Sequence, residues 1–397
     1  MKKLSLLLIV ICWYACSSTE EQNTLEQCNV IASKVITGED TLIVCDQSKI
    51  TQQIKLPLST LVENWKLLKL ENSSKEVMVQ PYKVYPSEKY LLIHPAGLGR
   101  GLMLFDKNGK YLRDISKVGN GPGEILVQST DVQIDEGNDI VYIKDVAPSP
   151  RMLKYRLSDG AYLQDVPCSY DRFSRFIFNP QENTMIAARI PLPNNSEGGK
   201  FPILWKQDMQ GNVLQEVSSV GYDRNLSCHL WLWERDGHIS FFDYNLPGRK
   251  DTLFHYRLDE NRLAPRFTVD FGSETPEHWY GETSDYYLVS ITSGGLKLGG
   301  PAASLEKQLL VDKRTLKGAY VDIVLDGYGD FSIATEWFYF NNTYFTLVLD
   351  PILITETCEK LLAHPENLKP GEKKNLQELL DGLTEDDNAI IIYGKIK

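Results

Sequence analysis

No CxxC pair, no Cys/His cluster at zinc spacing, no GxSxG elbow and no HExxH helix occur in this chain, and its six histidines are scattered. The sequence therefore offers no catalytic set, no metal set and no cofactor motif. Basic residues are also short, with 42 Lys and Arg against 53 Asp and Glu, a formal charge of −11. Nucleic acid, whose phosphates call for a basic surface, is not an expected partner. Cysteine is sparse: beyond Cys12 and Cys16 there are Cys28, Cys45, Cys168, Cys228 and Cys358, an odd number without a disulfide framework. Cys28 and Cys45 flank a short hairpin pattern and form the candidate pair. After the first fifteen residues no segment offers about 18 uninterrupted apolar residues, so membrane contact is expected only through an anchor.

Such an anchor is suggested at the start. MKKLSLLLIVICWYA has a basic n-region (Lys2, Lys3), an apolar stretch from Leu4 to Trp13 and a small residue, Ala15, before Cys16. Residues 1–15 are read as a secretory signal peptide, too short to span a bilayer. Cys16 resembles the acylated cysteine of a bacterial lipoprotein. Removing the leader's two lysines takes the charge to −13. Residues 16–53 read as a polar lipidated tether followed by a small hairpin.

The strongest pattern is a repeat. Gly109, Gly160, Gly211 and Asn261 fall 51, 51 and 50 residues apart, each in a polar turn between two apolar strand-like stretches. Glycine and asparagine tolerate the positive φ of hairpin turns, so they mark recurring hairpins. A looser fifth copy, LLVDKRTLKGAYVDI, occupies 309–323. A period of about fifty residues built from strands predicts an all-β propeller with four-stranded blades. Residues 54–397, less about 30 for a helical insertion near 356–383, hold about six such units, with seven the alternative. Stretches such as YLLIH, DIVYIKD, TMIAARI, HISFFDY and WFYFNN fill the inner positions of the blades. The terminal strand AIIIYGKIK (389–397) and WKLLKL (65–70) are expected to complete one blade together and close the ring.

Gly119, Gly121, Pro122, Gly123 and Glu124 form the densest turn motif, GNGPGEI. A phosphate loop would need a following helix with Lys and Ser/Thr, whereas a strand-like stretch follows here, so the motif reads as an interblade turn. His229, Trp231 and Trp233 share a strand face, as fillers of the wedge between blades or as a stacking platform. Trp279, Tyr280, Tyr286 and Tyr287 fall in SETPEHWYGETSDYY, which reads as an acidic loop and supplies the ligand-binding candidates. Asp322, Asp326 and Asp330 lie near turn glycines but match no complete calcium loop.

FDKNGKYLRDISKVGNGPGEI resembles the hairpin-plus-GxGPGE element of the bacterial six-bladed β-propeller lipoproteins, relatives in shape of NHL-repeat propellers. The likeness extends to 250–272 and 383–397. It implies a lipid-anchored six-bladed ring in the cell envelope, an outer-membrane lipoprotein facing periplasm or surface, and brings no catalytic residues. The expected function is binding of a peptide, a glycan or an envelope protein. The alternatives are a metal-dependent lactonase or lyase working at the channel, and a structural subunit of an outer-membrane complex.

Overall fold

The computed structural model describes residues 24–72, 79–96, 99–119, 121–125, 131–145, 151–170, 175–189, 202–218, 229–244, 251–293, 304–333, 340, 343–384 and 387–397. Residues 1–15, Cys16 and Cys228 lie outside these residues, as do most of WFYFNN and the side chain of His229.

Six blades make the ring. Blade 1 runs Pro81–Pro86, Tyr90–Pro95, Met103–Asp106 and Tyr111–Asp114; blade 2 runs Asp131–Asp135, Ile140–Asp145, Arg151–Arg156 and Tyr162–Val166. Blade 3 runs Arg175–Asn179, Thr184–Ala188, Pro202–Asp208 and Val213–Ser218. Blade 4 runs His229–Arg235, His238–Tyr244, Leu253–Arg257 and Arg262–Asp270; blade 5 runs Glu277–Glu282, Tyr286–Ser293, Ser304–Asp312 and Gly318–Val324. The first strands of successive blades touch one another, which puts them at the axis. The second strands, such as Tyr90–Pro95 and Ile140–Asp145, are buried almost throughout, as strands covered on both faces by neighbouring blades must be.

The recurring turns sit between third and fourth strands. Gly109, Gly160, Gly211 and Asn261 have φ of 81°, 74°, 87° and 49°. In the fifth copy Leu316 takes this role, at φ 60°. An aspartate three residues before the turn glycine locks two of these turns: Asp106 Oδ1 accepts from the Asn108 and Lys110 amides, and Asp208 Oδ1 from Gln210 and Asn212. A side chain that caps its own turn favours that turn over further strand.

Blade 6 joins both ends of the chain. Ile390–Ile396 lies between Tyr344–Leu349 and Val62–Lys69, with Ile391 opposite Leu68 and Ile392 opposite Leu67. Between its Tyr344–Leu349 and Ile390–Ile396 strands stand helices α1 (Pro351–Leu362) and α2 (Pro370–Asp381), which begin and end earlier than the 356–383 expected from leucine spacing. Asp350 caps α1 by accepting the Ile352 amide, and Pro351 follows at the first helical position. Ile354, Cys358 and Leu376 bury the helices against a core that includes Leu325, Phe331 and Ile333. No helix among the described residues is long and apolar enough to cross a membrane.

The amino-terminal hairpin, Ala32–Thr37 and Asp40–Asp46, is fused to the ring. Its second strand pairs in parallel with the outer strand of blade 4, making a six-stranded sheet, while Gln53–Pro57 adds a fifth strand to blade 5. The Leu316 carbonyl accepts the Ile31 and Ala32 amides, and Arg262 pairs with Asp40, so the hairpin ties blades 4 and 5. Cys28 and Cys45 are buried free thiols, which corrects the candidate disulfide. Each is held on its own strand or turn by packing instead.

Candidate functional site

Because strands alternate in direction within every blade, the first strands all begin at one end of the channel. Five of them carry polar or aromatic residues within their first three positions: Lys83 on Pro81–Pro86, Asp131 and Arg175 at the starts of their strands, Trp231 on His229–Arg235, and Glu277 at the start of Glu277–Glu282. One strand further out, His94 is the register partner of Lys83 and Lys144 that of Asp131.

Arg175 links three blades. Its guanidinium lies 3.5 Å from Asp131 Oδ1 of blade 2, donates through Nε to the Leu230 carbonyl of blade 4 at 3.4 Å, and stacks 4.1 Å over the Trp231 ring. Lys83 and Lys144 bring two further cations near Asp131. Burial, then the charges of nearby Arg175 and Lys144, push Lys83 down to about 8, with Asp131 opposing. Lys144, 6% exposed, is also pushed to about 8 by burial and Arg175 against the pull of Asp131. His94 is pushed to about 4 by burial and by Lys83, so its ring is neutral. The Lys83 ammonium enters no ion pair or hydrogen bond among the described residues; its nearest aromatic contact is the Tyr82 ring at 5.5 Å. Tyr82 itself is 55% exposed. Glu277 is 6% exposed, neither carboxylate oxygen has a hydrogen-bond partner, and burial raises its pKa.

Such unpartnered buried charge is costly, and it contrasts with the seam between blades 4 and 5. There Glu282 accepts from Ser240 Oγ at 2.9 Å, meets His255 Nε2 at 2.9 Å and pairs with Lys313 Nζ at 2.7 Å. Lys313 also donates to the Thr283 carbonyl at 2.6 Å, and Arg235 to the Glu282 and Phe340 carbonyls. Nearer the other end of the seam, Tyr280 donates to Asp251 at 2.9 Å and His278 lies 3.0 Å from the same oxygen. His278 Nδ1 faces the Pro276 carbonyl, which only accepts, so that nitrogen carries a hydrogen. These groups satisfy one another and clasp the two blades.

The expected loop at 273–287 is a hairpin of strands, and this corrects the placing of the ligand candidates. Trp279 and Tyr280 are 1% exposed and Tyr287 2%, with Tyr286 partly buried. Trp279 meets Trp231 edge-on at 6.4 Å, and Tyr287 stacks on Phe267 at 4.3 Å. Trp279, Tyr280 and Tyr287 pack in the blade 4–5 seam and Tyr286 against the core between blades 5 and 6, and an exposed stacking face is not formed by them. Trp233, 3% exposed, fills the same core.

GNGPGEI connects the outer strand of blade 1 to the first strand of blade 2. The Gly121 amide donates to Glu124 Oε2 at 2.7 Å, and the Gly119 amide to the Ile125 carbonyl at 3.0 Å. Gly123, at φ 70°, has no room for a Cβ, which would stand 2.4 Å from the Tyr162 ring, while its carbonyl accepts from Tyr155 at 2.6 Å. Asp322, Asp326 and Asp330 do not converge: Asp326 accepts from Ser59 and Trp65, Asp330 pairs with Lys55, and Asp322 accepts from Ser332. Among the described residues no three His, Cys, Asp or Glu side chains gather around a point that would hold a metal ion.

No single feature of this site was legible in a sequence motif, because its members stand on five blades between positions 83 and 277. The usable signal was the mixture of charged residues in otherwise apolar first strands.

Of two similar solved structures, that of an exported protein supports the architecture. A protein of Bacteroides fragilis NCTC 9343 assigned as exported is 17% identical, with 90% of this chain and all of that chain aligned at a TM-score of 0.59. A member of the DUF4221 family from Bacteroides vulgatus ATCC 8482 is 9% identical over 85% of this chain and 97% of its own, at a TM-score of 0.44. No curated protein matches the chain. The model of the family described as "Domain of unknown function (DUF4934)" matches residues 41–395. The chain therefore belongs to the DUF4934 family and folds as a six-bladed β-propeller.

Proposed function

We propose that the protein is an exported binding propeller of the cell envelope, held there by a lipid on Cys16, with its ligand site at the channel end built by Lys83, Asp131, Lys144, Arg175 and Glu277. The leader and the Ala15–Cys16 junction support the location, as does the likeness of the GxGPGE segment to propeller lipoproteins. The observation that carries the binding role is charge kept largely out of water without hydrogen-bond partners at Lys83 and Glu277, against a blade 4–5 seam whose buried charges are paired. Ligand sites concentrate such unreturned cost where incoming polar groups will complete it. The candidate partners are a glycan, a peptide or an envelope protein.

The test is site-specific photocrosslinking in whole cells. A photoreactive residue at exposed Tyr82 should capture a discrete partner, and the same probe at Lys374 on α2 should not. Capture at Lys374 with none at Tyr82 would move the site away from the channel. Mass spectrometry of the mature amino terminus should find an acylated Cys16, and an unmodified terminus elsewhere would end the anchoring proposal.

A further inference from the structure

We infer that Lys83 is a nucleophilic amine that captures the free carbonyl of an aldehyde, such as the open-chain form of a reducing sugar, as a reversible imine at the channel end. The inference rests on the binding reading above and names the ligand class that Lys83 takes within it.

The backbone places the amine. Pairing between Pro81–Pro86 and Tyr90–Pro95 slips between Pro81 and Lys83: Pro81 stands opposite Pro95 and Lys83 opposite His94, which leaves Tyr82 as the extra residue of a bulge. Such an irregularity re-aims side chains. The Tyr82 ring stands edge-on to His94 at 5.6 Å, and Lys83 Nζ lies 5.5 Å from the centre of the Tyr82 ring. In a regular strand, consecutive side chains would point to opposite faces. Here they lie together, and exposed Tyr82 holds an apolar ring open beside the amine, where the carbon frame of a small carbonyl compound can rest.

The neighbours disfavour the ammonium. Lys83 is half-buried and has no ion pair or hydrogen bond among the described residues. Asp131, the acid that favours its charge, lies 3.5 Å from Arg175, whose guanidinium is held as well by the Leu230 carbonyl and the Trp231 ring. Arg175 is thus a fixed cation near Lys83, and Lys144 acts on it in the same direction. A lysine drawn partly out of water beside another cation is the arrangement that makes an amine a nucleophile. With the pKa at about 8, about one Lys83 in five is free amine at pH 7.4, against about one in a thousand for an ordinary lysine.

The step needs no oxidant or reductant. The Nζ lone pair forms a bond to the carbonyl carbon, the π electrons move to oxygen, and a proton passes from nitrogen to oxygen to give a carbinolamine. Protonation of that hydroxyl and its loss as water leave an iminium ion, and water adding back reverses the sequence. The imine nitrogen is less basic than the amine, so the product sheds the charge that Arg175 disfavours.

In the experiment, glyceraldehyde is incubated with the full-length mature protein, imines are trapped with cyanoborohydride, and peptide mass spectrometry reads the rate at each lysine. At pH 7.4 Lys83 should react at least tenfold faster than exposed Lys374 on α2, with a rate that saturates in glyceraldehyde while that of Lys374 stays linear. The ratio of the two rates should fall above about pH 8, where Lys83 is already amine and the ordinary lysine is still gaining. Arg175→Met removes the fixed cation and frees Asp131, both of which favour the ammonium, so trapping at Lys83 should slow at least fivefold at pH 7.4. Tyr82→Ala should raise the half-saturating concentration at least threefold. Lys83→Arg should lose the saturable adduct and keep the one at Lys374. A Lys83 rate less than tenfold above that of Lys374, or one that does not saturate, overturns the inference. Inorganic phosphate that saturates in calorimetry and suppresses the trapping would make Lys83 an anion contact and overturn the carbonyl class. Ordinary reactivity at Lys83 while Tyr82 still captures a partner in cells removes this inference and leaves the binding role standing; failure of both removes both.

Discussion

Glu282→Gln tests whether the seam between blades 4 and 5 is held by charge. Glu282 is buried, and burial alone would raise its pKa; the hydrogen bond from His255 and the charge of Lys313 outweigh burial and bring it to about 2. Measured from an ordinary glutamate, that corresponds to about 3 kcal/mol favouring the folded carboxylate. Lys313 works against this total. Its own pKa is lowered, because burial outweighs the pull of Glu282, so part of the gain offsets the cost of hiding an ammonium. Glutamine keeps a hydrogen bond to Ser240 but leaves Lys313 charged and uncompensated, a change that costs about 3–5 kcal/mol at buried pairs.

The pH dependence carries the sign. A carboxyl whose folded pKa is depressed contributes stability that is complete above its unfolded value and lost as pH falls toward its folded value. The gap between wild type and Glu282→Gln in urea denaturation should therefore be full at pH 7 and shrink from about pH 4.5 down to about 2. Adding Lys313→Met to Glu282→Gln should cost less than the two single changes together, since neither charge is then stranded. A gap under about 1 kcal/mol at pH 7, or one unchanged at pH 3, would refute the reasoning.

Trp279→Ala should lower stability by about 3–5 kcal/mol in denaturant titration, since it empties a fully buried position against Trp231; a loss below about 1 would return this residue to the surface. Deleting 390–397 removes Ile390, Ile391, Ile392 and Ile396, worth about 1.5–3 kcal/mol each when buried, and should abolish cooperative unfolding in calorimetry. Unchanged melting would mean that the ring closes without this strand. Gly123→Ala should cost about 1–3 kcal/mol, from the positive φ and the crowding by Tyr162, and a neutral result by the same titration would contradict the corner geometry.

The ring was legible because hairpin turns impose a local demand. Positive φ selects glycine or asparagine wherever the turn recurs, and four such residues at a steady spacing betray the blades. Leu316 shows the limit: the fifth turn adopts the same conformation without the marker, its carbonyl held by the Ile31 and Ala32 amides. The start of α1 was missed because ILIT reads as strand, although Asp350 and Pro351 carry the capping signal. The region around Trp279 reads as loop for a different reason. Its two strands are covered on both sides, so Glu, His, Gly and Ser stand where alternation would otherwise show, and only contacts with blade 4 explain them.

Those contacts also explain why the channel end stands out. At the blade 4–5 seam Glu282, Asp251, His255, His278 and Lys313 are each answered by a neighbour, and the ring gains a fixed geometry from them. Half-buried Lys83 and buried Glu277 have no ion pair or hydrogen bond among the described residues. Packing alone gives no reason to place an ammonium and a carboxyl there, since apolar residues of equal size would cost less. A bound molecule whose polar groups answer them would convert that cost into affinity. The position, at the start of first strands drawn from separate blades, is also where a propeller can rebuild a site residue by residue while its repeating turns stay unchanged.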